Sequence, residues 1–183
     1  MKDLVGKLII APPKVRGTFW QKTAVFITEH HNKGSVGLAL NKASSMSVKE
    51  FAMQHGFELD VDGHVHVGGP VNVKAFTMLH SAGWRCDNTM RINDHFSLSS
   101  SPNMLAQLAM GNRPAQWRLF VGLSGWTVGQ LENEINGNPP YDHNMSWLVA
   151  NPDPSLVFDF DSKEQSTESI ERSSSDFARS ILV

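Results

Sequence analysis

The sequence has little cysteine, little net charge and no long apolar run, and each shortage excludes a class of protein. One of its 183 residues is cysteine, Cys86, so no internal disulfide forms, and a lone thiol is typical of a reducing compartment. The formal net charge of -2 is not the basic balance typical of nucleic-acid-binding domains. No apolar run reaches the length of a signal-peptide core or a membrane span. We therefore expect a cytoplasmic protein that binds neither membranes nor, directly, nucleic acid.

The length and composition indicate one folded domain. A chain with 40% hydrophobic and 19% charged residues is ordinary for a globular protein. Strand-like segments cluster as hairpins and helices interrupt them irregularly, which favours an α+β fold over a regular βαβ alternation. We predict a single compact domain over residues 1–161, with helices packed on a mixed, mostly antiparallel β-sheet. Residues 162–183 are predicted to be a polar tail, or a docking helix of the same domain anchored by Ile170, Phe177 and Ile181.

Short segments rich in apolar and β-branched residues predict the strands. In chain order they are KLIIA, TAVFIT, VGLALN, HVHV, FTMLHS, HFSLSS and QWRLFVGL, followed by SWLVA and SLVFDF. The NKGS turn between the second and third segments predicts a hairpin from Val25 to Leu40.

Capping signals predict two helices between these strands. In SVKEFAMQHG, Ser47 and Glu50 have the spacing of a capping box, and Gly56 ends the helix. In SSPNMLAQLAMG, Ser101 is the expected cap and Pro102 takes the first helical position.

The segment GLSGWTVGQLENEI, from Gly122 to Ile135, is the strongest candidate for a functional loop. It lacks the Lys-Ser/Thr pair of a phosphate-binding P-loop, and its glycines do not have the G-x-G-x-x-G spacing of a dinucleotide site. Ser124 is not flanked as in the G-x-S-x-G nucleophile elbow. The remaining interpretations are a strand-to-helix corner capped by Thr127 and Gln130, or a small-ligand pocket lined by Trp126 and Glu132.

Histidines and carboxylates suggest further, weaker sites. His64 and His66 alternate on a strand and would share one face, but no metal-binding motif accompanies them, so no metal or cofactor is expected. An acid–base pair of Glu29 and His80 requires the fold to bring them within hydrogen-bond reach. The VGGPV segment is a tight turn or, through the amides beside Gly68 and Gly69, an anion site.

Several blocks of the sequence, in this order, resemble the YqgE/AlgH family of bacterial proteins. They are GKLIIAPP, FITEHHNKGSVGLALNK, HVGGPV, LHSAGW, FVGLSGWTVGQLENEI, SWLVA and LVF, spread over roughly residues 4–160. After Asp161 the chain departs from the family pattern, in which a tryptophan-containing helix is expected.

The resemblance implies a single α+β domain and a proposed role in transcriptional regulation, and it supplies neither an enzymatic activity nor catalytic residues. We therefore expect a regulatory module that binds a small ligand or a protein, with VGGPV and GWTVGQLENE packed close together. The candidate binding residues are Glu29, His30, Asn41, Gly68, Gly69, His80, Gly125, Trp126, Gln130 and Glu132. The alternative is a hydrolase-like or metal-assisted enzyme that uses Glu29, His30, His80 and Glu132.

Overall fold

The computed structural model describes residues 3–141, 146–159, 165 and 167–172. Within them the elements, in chain order, are β1 (Leu8–Ile10), β2 (Ala24–His31), β3 (Gly34–Ala39), β4 (Ala43–Ser47), α1 (Val48–Gln54), β5 (His64–Val67), β6 (Val71–Ser81), β7 (Thr89–Arg91), β8 (Phe96–Ser99), α2 (Asn103–Ala109), β9 (Trp117–Trp126), α3 (Gln130–Asn136), β10 (Leu148–Ala150) and α4 (Pro154–Phe158).

The described strands form one curled sheet, which confirms the predicted fold class. Its main path runs β10-β1-β2-β3-β9-β6-β8-β7, and β4 pairs with β5 beside this path. All described pairings are antiparallel except that of β5 with β9, which is parallel. β9 therefore has three partner strands, β3, β5 and β6.

Side chains alternate between two buried faces of this sheet, as the period of a β-strand requires. Leu8, Phe26 and Phe120 lie in an inner cluster inside the curl, where α4 also packs. Ile9 and Val25, one residue away from members of that cluster, pack beneath α3 on the opposite face. The other half of that face is covered by α1 and α2. Burial on both faces explains why several strands read as continuous apolar runs.

Local capping decides where the helices begin. The predicted capping box of α1 is present, with the Ser47 side chain accepting from the Glu50 amide and the Glu50 carboxylate accepting from the Ser47 amide. Pro102, directly before α2, has helical φ and ψ of -54° and -28°, and the Ser101 side chain accepts from the amide of Asn103, so Ser101 caps this helix end as predicted.

The SLVFDF segment, predicted to be a strand, contributes to helix α4 instead, so that prediction is wrong. The Asp153 side chain accepts from the Leu156 amide, and Pro154 occupies the first turn. An N-cap followed directly by proline sets the start of a helix.

Part of the C-terminal tail docks on the domain. Residues 167–172 are helical, and Ile170 packs against the inner cluster. Gln165 is buried, and its amide donates to the carbonyls of Leu156 and Val157. Phe177 and Ile181 lie outside the described residues.

Among the described residues, the helices are too short or too polar to cross a bilayer.

Candidate functional site

A cavity of about 310 Å³ opens between the loop after β1, the helix α3 and the start of β10. We call it the tryptophan pocket, because three of the five tryptophans of the chain line it. The described lining residues are Ala11, Pro12, Val15, Thr18, Trp20, Gly125, Trp126, Gln130, Glu134, Tyr141 and Trp147.

The three indoles of the pocket pack against one another. The ring centroids of Trp20 lie 6.0 Å from Trp126 and 5.6 Å from Trp147, and those of Trp126 and Trp147 are 6.2 Å apart. The Trp20 and Trp126 planes differ by 34°, whereas Trp147 stands at 83° and 80° to them. Such edge-to-face contacts are favourable because the positive ring edge meets a negative ring face.

Glu134 connects two of these indoles. Its Oε2 accepts from the indole N–H of Trp126 at 3.0 Å and from that of Trp147 at 2.7 Å. Its Oε1 accepts from the Gln130 side-chain amide at 2.8 Å. Three donors therefore fix the carboxylate at the wall of an aromatic cavity.

The start of α3 differs from the predicted capping box. Gly129 is the N-cap in a left-handed conformation, with φ of 72°, and no side chain caps the helix. Gln130 reaches back instead, and its Oε1 accepts from both the backbone amide and the hydroxyl of Thr127. The prediction of Thr127 as cap is thus wrong, whereas Gly137 ends the helix as predicted.

Of the predicted site residues, Gly125, Trp126 and Gln130 line the tryptophan pocket. Glu132 is not among its described lining residues. The pocket is also lined by Trp20, Trp147 and Glu134, which the sequence analysis did not place in it. The sequence could have indicated Glu134, because it lies one helical turn after Gln130. It could not have indicated the two tryptophans, because they come from distant segments of the chain.

Glu132 faces His30 beneath α3. The His30 Nδ1 lies 2.8 Å from the Ser35 hydroxyl, and its Nε2 lies 3.6 Å from a Glu132 oxygen, beyond hydrogen-bond range. The His30 Nε2 is buried without a hydrogen-bond partner in the described structure. Ser35 is also buried. The hydroxyl is therefore shielded from solvent, which does not suit a nucleophile.

The structure does not bring Glu29 and His80 together. Glu29 aligns with Val36 and through it with Gly125, whereas His80 aligns with Trp117, at the other end of β9. At about 3.3 Å per residue they are roughly 26 Å apart along the sheet. Glu29 pairs with His31, and His80 is fully buried against the Ser99 hydroxyl. The condition for an acid–base pair of Glu29 and His80 is therefore not met.

Asn41 supports the backbone at the far end of the hairpin from Glu29. Its side-chain oxygen accepts from the Ala24 amide, and its side-chain amide donates to the Lys22 carbonyl. Lys22 has a positive φ of 53°, so Asn41 stabilises a strained turn.

The Gly68–Gly69 corner packs against β9, and a Cβ placed on Gly125 would lie 3.9 Å from the Val71 side chain, so the two motifs lie close together as predicted. The Gly68 carbonyl accepts from the Ser124 hydroxyl, and the Gly68 amide donates to the Val121 carbonyl. That amide is therefore unavailable to an anion. A Cβ atom on Gly69 would come within 2.3 Å of the Leu123 backbone. The two glycines allow the backbones to cross in contact.

A shallow depression of about 400 Å³ adjoins this corner and is bordered by both motifs. Val71 contributes from one motif, Gly125 and Trp126 from the other, and Glu29 from β2. That this depression holds a ligand stays a prediction.

A third cavity, of about 440 Å³, contains His64 and His66 together with Arg118. Burial and the nearby Arg118 guanidinium lower the pKa of His66 from 6.5 to about 4. Burial also lowers the pKa of Arg118 to about 10. Within the described residues no group of three or more His, Cys, Asp or Glu side chains is placed to hold a metal ion.

We expect the protein to lose stability as the pH falls from about 6.5 towards 4. The unfolded state then binds protons that half-buried His66 and fully buried His80 do not bind in the folded state, because burial lowers the pKa of both. His66 alone should lower the unfolding free energy by about 2 kcal/mol between pH 7 and pH 5, since each unit of pKa difference corresponds to 1.36 kcal/mol. Urea unfolding at the two pH values measures this loss.

His66→Gln should remove that part of the pH dependence, and His95→Gln, at an exposed position, should not. Equal pH dependence in the native chain and His66→Gln would contradict the assignment.

Comparison with known proteins agrees with the fold. A family model described as AlgH-like matches residues 8–178. A UPF0301 protein of Shewanella denitrificans is 30% identical, with 88% of this chain and 86% of the relative covered. A UPF0301 protein of Ruegeria pomeroyi is 31% identical, with 85% and 84% covered.

Two solved structures are similar. The solution structure of the AlgH protein of Pseudomonas aeruginosa matches with a TM-score of 0.75 and 25% identity, over 93% of this chain and 89% of that chain. A crystal structure of a Corynebacterium diphtheriae protein matches with a TM-score of 0.66 and 22% identity, over 86% and 80%, which is a likeness of fold alone.

The structure is a mixed α+β domain with an aromatic pocket at one end of the long strand β9. The chain belongs to the AlgH-like family, whose curated relatives carry the name UPF0301. The match to residue 178 extends beyond residue 160, where the sequence blocks end.

Proposed function

We propose that this protein is a binding module and that a small ligand occupies the tryptophan pocket. The observation that carries the proposal is the Glu134 carboxylate, held by Trp126, Trp147 and Gln130 at the wall of an apolar cavity. Small-molecule sites are typically concave, mostly apolar and provided with a few fixed polar groups. A volume of about 310 Å³ is near the lower end of the range for such sites.

The arrangement of the other candidate residues supports binding over hydrolysis. His80 and Glu29 lie at opposite ends of β9, and the hydroxyl nearest to His30 belongs to buried Ser35. A hydrolase requires its acid, base and nucleophile to converge where substrate reaches them. Glu134 is fixed by donors that have no role in proton transfer.

A regulatory role forms part of the proposal. The pocket joins the loop after β1, α3 and the start of β10, so an occupant would contact three separate segments of the chain. Ligand binding would then stabilise their mutual arrangement, which is how a small molecule biases a conformational equilibrium. A cytoplasmic location is part of the proposal and is supported by the single cysteine, which is typical of a reducing compartment.

The test is a thermal-shift and fluorescence screen of metabolite classes against the native chain and two matched variants. Val15→Phe places a phenyl ring in the pocket. Val128→Phe makes the same change at an exposed position outside the described lining of the pocket. A ligand at one hundred times its Kd stabilises by about 2.7 kcal/mol, which shifts the Tm by several degrees in a domain of this size. We expect the shift in the native chain and in Val128→Phe, and its loss in Val15→Phe.

Two results would contradict the proposal. One is a ligand whose effect is equal in all three proteins, which would locate its site elsewhere. The other is a screen in which no compound alters the tryptophan fluorescence.

A further inference from the structure

We infer that the occupant of the tryptophan pocket is a small organic cation, an alkylated ammonium with an apolar body. This inference rests on the proposed function and specifies the class of its ligand. It follows from which polar groups of the pocket are already paired and which remain.

The indole and side-chain amide donors of the pocket are engaged, and the hydroxyls of Thr18 and Tyr141 are its further polar side-chain groups. The indole N–H groups of Trp126 and Trp147 both point to Glu134. The Gln130 side-chain amide donates to the same carboxylate, and its oxygen accepts from Thr127. Among the described lining residues there is no Lys, Arg or His, so an anionic ligand would meet no opposite charge.

The Glu134 carboxylate leaves negative electrostatic potential at the wall of the pocket. Glu134 is the one ionisable acid among the described lining residues. Its two oxygens have about four lone-pair positions, and the three donors of Trp126, Trp147 and Gln130 occupy three of them. The position left on Oε1 accepts a further donor or faces a positive charge.

The indole rings favour the same ligand. The face of an aromatic ring carries negative electrostatic potential, and tryptophan is the strongest aromatic partner of a cation. Because the Trp147 plane is nearly perpendicular to those of Trp20 and Trp126, a ligand beside the cluster meets the face of at least one ring. Indole N–H donation to a carboxylate polarises each ring further in this direction.

The size of the cavity limits the ligand. At about 310 Å³ the pocket is near the lower end of the range for small-molecule sites, so its occupant is small. A trimethylammonium group with a short chain fits this volume.

The experiment compares choline with its uncharged tert-butyl isostere, in which carbon replaces the nitrogen. Both are titrated into the native chain while tryptophan fluorescence and ligand-observed NMR report binding. We expect choline to bind at least tenfold more tightly than the isostere, because the shapes are equal and only the charge differs. Choline binding should weaken as salt is added.

Two glutamate variants of α3 give the matched control. Glu134→Gln should reduce the preference for choline at least fivefold, and Glu132→Gln, on the same helix but outside the described lining, should leave it unchanged. The comparison of the two ligands on the native chain needs no variant, so poor folding of Glu134→Gln would not decide the outcome.

Failure of the inference is distinguishable from failure of the proposed function. Equal affinity for both ligands would overturn the cation inference and leave a ligand-binding pocket. The cation inference would also be overturned if neither compound binds but the wider screen finds a neutral or anionic ligand whose binding is lost in Val15→Phe. Binding of neither with an otherwise empty screen would overturn both.

Discussion

Gly69→Ala should lower the unfolding free energy by about 3–5 kcal/mol, or prevent folding. The new Cβ would lie 2.3 Å from the carbonyl carbon and oxygen of Leu123, and 2.4 Å from the Ser124 amide nitrogen. All three atoms belong to the backbone of β9, so no side-chain rotation relieves the overlap. The start of β6 would have to separate from β9, with loss of the Ser124–Gly68 hydrogen bond. Losses of unfolding free energy above about 4 kcal/mol are exceptional for one substitution and come from disruptions of this kind.

Gly83→Ala is the matched control for this prediction. A Cβ on Gly83 meets no atom within 4 Å, and its φ is not in the left-handed region. Its effect should stay within about 0.5 kcal/mol, as for ordinary surface substitutions. Urea unfolding of the three proteins measures both values. A Gly69→Ala protein as stable as Gly83→Ala would show that the two backbones do not cross in contact.

Glu134→Ala should lower the unfolding free energy by about 2–4 kcal/mol and alter the tryptophan fluorescence. The substitution removes the shared acceptor of the Trp126 and Trp147 indoles, and both rings are less than a tenth exposed. Each buried donor left unpaired costs about 1–3 kcal/mol, and the Gln130 amide loses its partner as well. The altered surroundings of two indoles should shift the emission maximum. Chemical unfolding and emission spectra check the two effects.

Glu134→Gln separates the acceptor from the charge. The amide retains one oxygen for the indole donors, so most of the stability should return, while the emission change should be smaller. Glu132→Ala is the positional control on the same helix and should leave the emission spectrum unchanged, since Glu132 is not among the described lining residues. Equal destabilisation by Glu134→Ala and Glu132→Ala would mean that the carboxylate does not hold the indoles.

The elements predicted well from the sequence depend on neighbours close in the chain. The Ser47–Glu50 capping box, the hairpin of β2 and β3, and the end of α3 at Gly137 each follow from a few adjacent residues. The alternation of buried faces along β1 and β2 is equally local. These features were readable because no distant segment competes with them.

The pocket could be predicted only in part, because its composition depends on tertiary pairing. Trp126 and Gln130 lie in the recognised GWTVGQLENE segment, but Trp20 and Trp147 reach them through the loop after β1 and the start of β10. β1 pairs with β10, which brings those segments beside each other. Sequence spacing contains no signal for such a pairing. Glu29 and His80 illustrate the opposite error, since the same sheet that gathers the tryptophans separates these two residues.

The three strand pairings of β9 can form only late in the synthesis of this protein. β3, β5 and β6 all pair with β9, yet residues 117–126 are translated after all of them. A nascent chain that has not reached Trp117 therefore presents several strand edges that lack their final neighbour. Such edges pair readily with other chains, so they are a source of aggregation until they are covered. We expect ribosome-bound or truncated chains that end before Trp117 to depend on chaperones, and the dependence to end once β9 has left the exit tunnel.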